Sequence, residues 1–276
     1  MSTRGSVGGQ ERGPERGTGR HKVLPSPKKQ RLAGSAGMPS ANGAEKAAQV
    51  REMFARIVSD YDTVNSVMTF GRDHAWRRAA VEAVAPSGAR VLDAATGTGE
   101  LASELCRQGC ASVVALDFCL DMVRVARDKV ERRGASERVT FAGGDAQRLP
   151  FPDGAFDAVI NGFLMRNLTD IPAALREFHR VLKPGGRLAC LDVTHPPGLL
   201  RPLCLFYFDA IVPLIGGILS GDFAAYRYLP RSLDGFPDAD RLAEMIAEAG
   251  LGEVNFQRFN FGMVALHTAR KPLASA

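Results

Sequence analysis

Three acids and two glycines carry the clearest chemistry in this chain. In VLDAATGTGE, residues 91–100, an apolar run ends at Asp93, and Gly97 and Gly99 follow within six residues. Glycines there permit a tight turn and let a ligand approach the backbone closely. Asp117 closes a second apolar run, VVALD, and Asp145 follows a third, in GGDAQRLPF. In open α/β sheets ligands bind outside the carboxyl ends of the strands, so these positions converge on one crevice. A carboxylate at Asp117 can accept hydrogen bonds from both hydroxyls of a ribose. Asp145, or the backbone amide of Ala146, can read the amino edge of an adenine.

Dinucleotide sites also combine a glycine loop with a later acid, but they expect GxGxxG. Here the third glycine is missing. Glu100 would oppose a pyrophosphate at the helix start, whereas a cationic sulfonium ligand tolerates carboxylates. The set Asp93, Asp117 and Asp145 therefore favours S-adenosylmethionine. The alternative is three strand-end acids that merely cap helices.

These residues need a scaffold that alternates strands and helices. Short β-rich runs (RVLDAA, SVVALDF, RVTFAGGD, FDAVINGF, GRLACLDVT) alternate with helical patterns (ELASELCRQG, DMVRVARDKVERRG, IPAALREFHRVLKPGG). Such alternation predicts an α/β fold with a doubly wound, mostly parallel, Rossmann-like sheet. Two further helices are expected over 44–58 and 74–85, as a helical cap spanning 44–86. DADRLAEMIAEAG at 238–250 predicts an amphipathic helix, with closing strands in GEVNFQRFN and FGMVALHTARK. Residues 44–276 then form a single domain.

Residues 198–237 read as an apolar insert or lid. Its first part, GLLRPLCLFYFDAIVPLIGGILSG, is interrupted by Arg201, Pro202, Asp209, Pro213 and the Gly216–Gly217 pair. A membrane span needs about 20 mostly apolar residues in sequence. Helices that cover an apolar cavity or touch the bilayer interface are expected instead, with a buried helical hairpin as the alternative.

Charge and composition narrow the function classes. The net charge is +5, yet residues 1–48 hold nine Lys/Arg against three Asp/Glu, which leaves the remainder near neutral. A near-neutral folded part argues against nucleic-acid binding. The basic segment 1–43, poor in large apolar side chains, is expected to be disordered, with a weak contact to anionic lipid as its functional reading. Cys106, Cys110, Cys119, Cys190 and Cys204 form no CxxC pair, so structural zinc is not expected and a reducing cytoplasm is.

Several longer segments resemble one family, the demethylmenaquinone and ubiquinone C-methyltransferases of respiratory quinone synthesis. They are VREMFARIVSDYDTVNSVMTFGRDHAWRR, LPFPDGAFDAV, REFHRVLKPGGRL, and above all MRNLTD at 165–170 and YRYLPRSLDGFP at 226–237. The resemblance covers roughly 48–271. It implies methyl transfer from S-adenosylmethionine to a ring carbon of a polyprenyl quinol, with demethylmenaquinol favoured over the benzoquinol precursor of ubiquinone. Other acceptors, such as an apolar phenol or sterol, and a non-catalytic cofactor-binding regulator are the competing readings.

By the same resemblance, Thr98, Asp117, Phe118 and the Asp145–Ala146 pair contact the cofactor, beside Asp93, Gly97 and Gly99. Tyr61, next to Asp62 in the cap, closes over it. Arg166 and Asn167 belong to the catalytic network. Arginine is a poor base, so Arg166 is expected to stabilise a developing phenolate through an ordered water, with an ion pair to Asp170 as the bland alternative. Tyr226, Arg227 and Tyr228 are expected at the quinol pocket, and His195 is a weaker candidate base. A homodimer is also implied. The chain departs from the family where Gly162 replaces a serine that contacts cofactor, with Asn161 or a backbone group as its substitute, and where Ala95 replaces the first glycine of the loop.

Overall fold

In the computed structural model, residues 43–84, 87–199 and 201–273 are described. The expected disordered segment falls outside them, save Gly43. So do Ala85 and Pro86 at the end of the expected cap.

Strand β1 (Arg90–Ala94) is buried from Val91 onward, the pattern of a strand covered on both faces. It pairs in parallel with β2 (Ser112–Asp117) on one side and with β4 (Phe156–Gly162) on the other. Beyond β2 lies β3 (Val139–Gly143), and beyond β4 lies β5 (Leu182–Val193). The last strands, β6 (Gly252–Phe259) and β7 (Val264–Arg270), are antiparallel, giving the order β3-β2-β1-β4-β5-β7-β6. The chain moves outward from β1 through β2 to β3, then returns to the opposite side of β1 as β4. That reversal opens a crevice at the carboxyl ends of β1 and β4.

Two apolar layers cover the sheet. Helices α3 (Arg72–Val84), α4 (Glu100–Arg107) and α5 (Leu120–Arg132) contribute Trp76, Val81, Leu105 and Val130 to one. Helices α6 (Ile171–Val181) and α10 (Ala239–Glu248) contribute Leu175, Phe178, Leu242 and Ile246 to the other. Helix α6 is shorter than its sequence pattern predicts. The segment after Val181 joins β5, because Gly185 donates to Lys271 O (2.9 Å) and Lys271 to Gly186 O (2.8 Å), extending the ladder with β7.

A third, smaller core joins parts of the chain far apart in sequence. Helix α1 (Gly43–Ile57) and α2 (Tyr61–Met68), the latter not foreseen as a separate helix, supply Met53, Ile57, Val64 and Met68. They pack on Val212, Ala225 and Tyr226 from the insert. The insert itself is α7 (Arg201–Phe206), a π-helical turn (Tyr207–Ile211), α8 (Val212–Ser220) and α9 (Phe223–Arg231).

The expected interruptions of this stretch do not break it. Helical hydrogen bonding continues from Arg201 to Ser220, a run long and apolar enough to cross a membrane by length and composition. Pro213 sits just after the widened π turn, in the first turn of α8, where a missing N–H costs little. The Gly216–Gly217 pair is kept for contact. A Cβ on Gly216 would fall 2.2 Å from Tyr226 Cγ, and one on Gly217 would fall 2.1 Å from Phe223 Cδ1. Helices α8 and α9 thus form a tight hairpin.

Candidate active site

The loop between β1 and α4 is built from residues in the left-handed region, Ala95 (φ 64°), Gly97 (φ 54°) and Gly99 (φ 82°). The two glycines serve different ends. Gly97 has open space where a side chain would be and lies in a cavity wall. Gly99 meets the α5 backbone, and a Cβ there would stand 3.0 Å from Ala126 Cβ. It fits the loop against a helix and does not reach the cavity.

Asp117 holds the loop. Its Oδ2 accepts from Gly97 N–H and its Oδ1 from Cys119 N–H, both at 2.8 Å. The carboxylate is buried and keeps unused lone pairs toward the cavity, and burial raises its pKa. Asp93 lies deeper and accepts the Thr96 hydroxyl (2.6 Å), while its second oxygen has no partner. Burial pushes its carboxyl up to about 7, although the Thr96 hydrogen bond pulls the other way. Asp145 anchors its own turn by accepting from Gln147 N–H at 2.8 Å.

Asp117 and Asp145 border a cavity at the carboxyl ends of β1, β2 and β4. Of the residues expected at a cofactor, Tyr61, Gly97, Asp117, Phe118, Asp145 and Ala146 lie in its wall. Asp93 and Thr98 stand behind it with Gly99. The Thr98 hydroxyl donates to Asp62 Oδ1 (2.5 Å), and Asp62 also accepts from Lys129. Lys129 bridges on to Glu100 (2.8 Å). Glu100 is therefore turned away from the cavity: burial opposes its charge, but Lys129 and Arg133 hold its pKa at about 2. Its expected repulsion of a pyrophosphate is largely neutralised, and the missing glycine remains the stronger distinction.

The residue at the family's serine position is Gly162, whose place in the wall is backbone alone. A Cβ there would come within 3.0 Å of Leu101 Cδ1. Asn161 does not substitute for the serine. It points to the opposite face of β4, fully buried, and donates to Cys190 Sγ at 3.1 Å.

A second cavity adjoins the first. Tyr61 and Phe163 border both. Its walls are mostly apolar (Met68, Trp76, Phe208, Val212, Leu229, Met263), and the end shared with the first cavity gathers Asn65 beside Tyr61 and Arg77 and Arg166 beside Phe163, with Asp73 and Thr69 next to Arg77. Two buried ion pairs stand at that end, Arg166 with Asp192 and Arg77 with Asp73. The two guanidinium carbons each lie 5.6 Å from the Phe163 ring centroid, within cation–π range. Burial raises the pKa of Tyr61, while Arg166 and Arg77 draw it back, so its phenol stays protonated at neutral pH.

Arg166 is thus an ion-pair partner, but of Asp192 and not of Asp170. Asp170 instead caps α6 by accepting from Ala173 N–H at 2.8 Å. Asn167 lies in the wall of the first cavity. Its Nδ2 donates to Phe163 O (3.0 Å), and its Oδ1 accepts from the Tyr228 hydroxyl (3.1 Å). Tyr228 therefore meets the first cavity's wall only through Asn167. Tyr226 is buried against Gly216 and Arg227 is exposed, and none of the three lies in the second cavity wall. His195 is engaged with Phe236 O at 3.0 Å and Arg258, as loop packing.

Sequence reasoning missed Phe163, Asn65, Asp73 and Arg77. The last three sit in the N-terminal segment that resembles the family, but no spacing rule connects them to the cofactor loop.

A model of the ubiE/COQ5 methyltransferase family matches residues 42–271. This chain belongs to that family. The demethylmenaquinone methyltransferase of Roseiflexus castenholzii is 45% identical over 235 residues, covering 82% of this chain and 95% of that protein. The demethylmenaquinone methyltransferase of Thermus thermophilus is 45% identical over 223 residues, covering 80% of this chain and 100% of that protein. Among solved structures, a SAM-dependent methyltransferase of Thermotoga maritima, described as a possible histamine N-methyltransferase, superposes with a TM-score of 0.58. It is 20% identical, covers 80% of this chain and 98% of its own, and shares the fold. The protein is a class I, Rossmann-like methyltransferase that uses S-adenosylmethionine.

Proposed function

We propose that the protein transfers a methyl group to a ring carbon of a reduced polyprenyl quinone, with demethylmenaquinol as its acceptor. The observation that carries this reading is the pair of cavities meeting at Tyr61 and Phe163. One presents the Asp117 carboxylate, which can accept from ribose hydroxyls, and an apolar wall of Phe118, Ala146 and Leu164. The other offers a polar end for ring hydroxyls and apolar walls for a fused ring and prenyl chain. The naphthoquinol is favoured because both relatives named above carry that acceptor in their names.

S-adenosylmethionine supplies an electrophilic methyl group on a sulfonium. The chain's own residues do the rest. Asp117, Asp145 and the Gly97 backbone fix the cofactor at one end. Tyr61 and Phe163, which border both cavities, would position the acceptor ring against the cofactor site, and such positioning is worth several kcal/mol of the barrier. Arg166, held by Asp192, places positive charge beside the ring oxygen where phenolate character develops. Asn167 keeps Phe163 in place through its carbonyl. Tyr228 steadies Asn167.

The outer face of α7 and α8 exposes Leu203 (66%), Phe206 (61%), Leu214 (51%) and Ile218 (68%), while Tyr207, Phe208 and Val212 line the second cavity from the inside. We infer from this that the cytoplasmic enzyme docks peripherally on the bilayer, which delivers the quinol. Labelled cofactor and folded enzyme, tested against reduced demethylmenaquinol and the reduced benzoquinol precursor, decide the acceptor. Transfer to the naphthoquinol is expected to be the faster. No transfer to either would overturn the reading.

A further inference from the structure

We propose that Asp73 is the group that takes the acceptor's hydroxyl proton. This rests on the quinol reading above. Methyl transfer to a hydroxylated ring makes that hydroxyl a strong acid as the carbon–carbon bond forms. A carboxylate need not be unusually basic to receive its proton, but it must already be ionised and fixed beside the ring.

Among the described residues that line the second cavity, Asp73 is the one carboxylate. It is 2% exposed, on the first turn of α3, and is held from two sides. Thr69 Oγ1 lies 3.0 Å from its Oδ1 and shares its one proton between that oxygen and Asn65 O (2.8 Å), and Arg77, one turn on, pairs with its Oδ2. A carboxylate accepts about four hydrogen bonds, so lone pairs remain for the cavity. Arg77 also ties the position to the reaction centre, since its guanidinium approaches Phe163, where the two cavities meet.

The alternatives are engaged elsewhere. Asp192 is turned to Arg166 and to its own backbone neighbours and is absent from the wall. Tyr61 is a protonated phenol, a donor and not a base. His195 binds the Phe236 carbonyl outside the cavity.

The step balances without an oxidant. The ring carbon bonds to the methyl as the S–CH3 bond breaks and its electron pair stays on sulfur. The O–H bond breaks, its proton passes to Asp73, and its electrons form a ring carbonyl. The methylated carbon then loses its hydrogen as a proton to water. That C–H pair restores aromaticity, and the carbonyl oxygen recovers the proton from Asp73. One proton is released per methyl transferred.

Asp73→Asn tests this with two acceptors, demethylmenaquinol and a halogenated analogue whose hydroxyl is more acidic. With the parent acceptor, kcat should fall roughly 100- to 10,000-fold, the usual range for a lost general base, while KM and cofactor affinity stay close to wild type. With the halogenated acceptor the deficit should shrink at least tenfold. A merely structural role would give equal deficits for both. Because Asp73→Asn leaves Arg77 buried without its partner, the double variant Asp73→Asn/Arg77→Gln is measured beside it, with melting temperature and cofactor titration. If the wild type methylates the quinol and the variants match it, or show equal deficits for both acceptors, Asp73 is not the base although the quinol reading survives. If the wild type methylates neither acceptor, the quinol reading falls and takes this role with it.

Discussion

Asp93 and Asp117 end adjacent strands, yet they stand in different relations to the crevice. Asp117 borders it and braces the glycine loop, and Asp93 sits behind it with one oxygen unpartnered. Asp117→Ala should therefore remove both the ribose acceptor and the loop's brace. Calorimetry is expected to show cofactor affinity lowered by at least tenfold, and unchanged affinity would sink the ribose role. Asp93 makes a prediction about pH. Burial lifts its pKa from 3.8 to about 7, so the folded chain holds this proton more tightly than the unfolded one. The stability it contributes is full below pH 4 or so and is lost as pH rises through about 7. Asp93→Asn, which imitates the protonated form, should gain stability over wild type at pH 8 by up to about 4 kcal/mol and gain nothing at pH 4. Denaturant melts of the cofactor-free protein at the two pH values check this.

At the scale of elements, the hairpin α8–α9 depends on two glycines whose missing side chains admit the rings of Tyr226 and Phe223. The Tyr226 ring cannot withdraw without opening the small core shared with α1 and α2, whereas Phe223 is 44% exposed. Gly216→Ala should cost about 1–3 kcal/mol, as overpacking does. The damage should reach the active site as well, because Tyr228, on α9 with Tyr226, holds Asn167. Hydrogen exchange is expected to rise in 61–68 and 223–231 together. A change confined to α8 would show that the cap is not one cooperative unit. The Asp62–Lys129–Glu100 chain ties α2 to the cofactor loop by a separate route.

For the molecule as a whole, the arrangement of apolar surface sets the expected behaviour. The Arg201–Ser220 run could span a membrane by length and composition, but its inner residues wall a cavity and pack on the cap. A helix with one face so engaged lies on a bilayer more readily than through it. Phe70 at the end of α2 is 80% exposed and adds to the apolar surface. Each large side chain transferred from water is worth about 1.5–3 kcal/mol. Leu203→Glu with Ile218→Glu should reduce co-sedimentation with quinol-bearing vesicles at least tenfold while turnover of a short-chain soluble quinol persists. Equal sedimentation of variant and parent would reject the docking face.

Local rules were enough for much of this protein. The alternation of strands and helices, the glycine loop and its acids can be read from the sequence because each depends on neighbours within about thirty residues. The motifs from 226 to 237 indicated the acceptor class, but not that Tyr228 reaches Asn167 from behind, that Tyr226 packs on Gly216, or that Arg227 is exposed. Tertiary structure alone decided that Thr98 faces Asp62, that Arg166 pairs with Asp192, and that Arg77 and Arg166 both meet Phe163. The Thr98–Asp62, Arg166–Asp192 and Arg77–Phe163 contacts join residues 36, 26 and 86 positions apart, and no periodicity records such pairings. The continuity of α7 into α8 was hidden for a related reason. Proline and paired glycines usually end a helix, and they persist here only because a π turn and two aromatic rings take up the local cost.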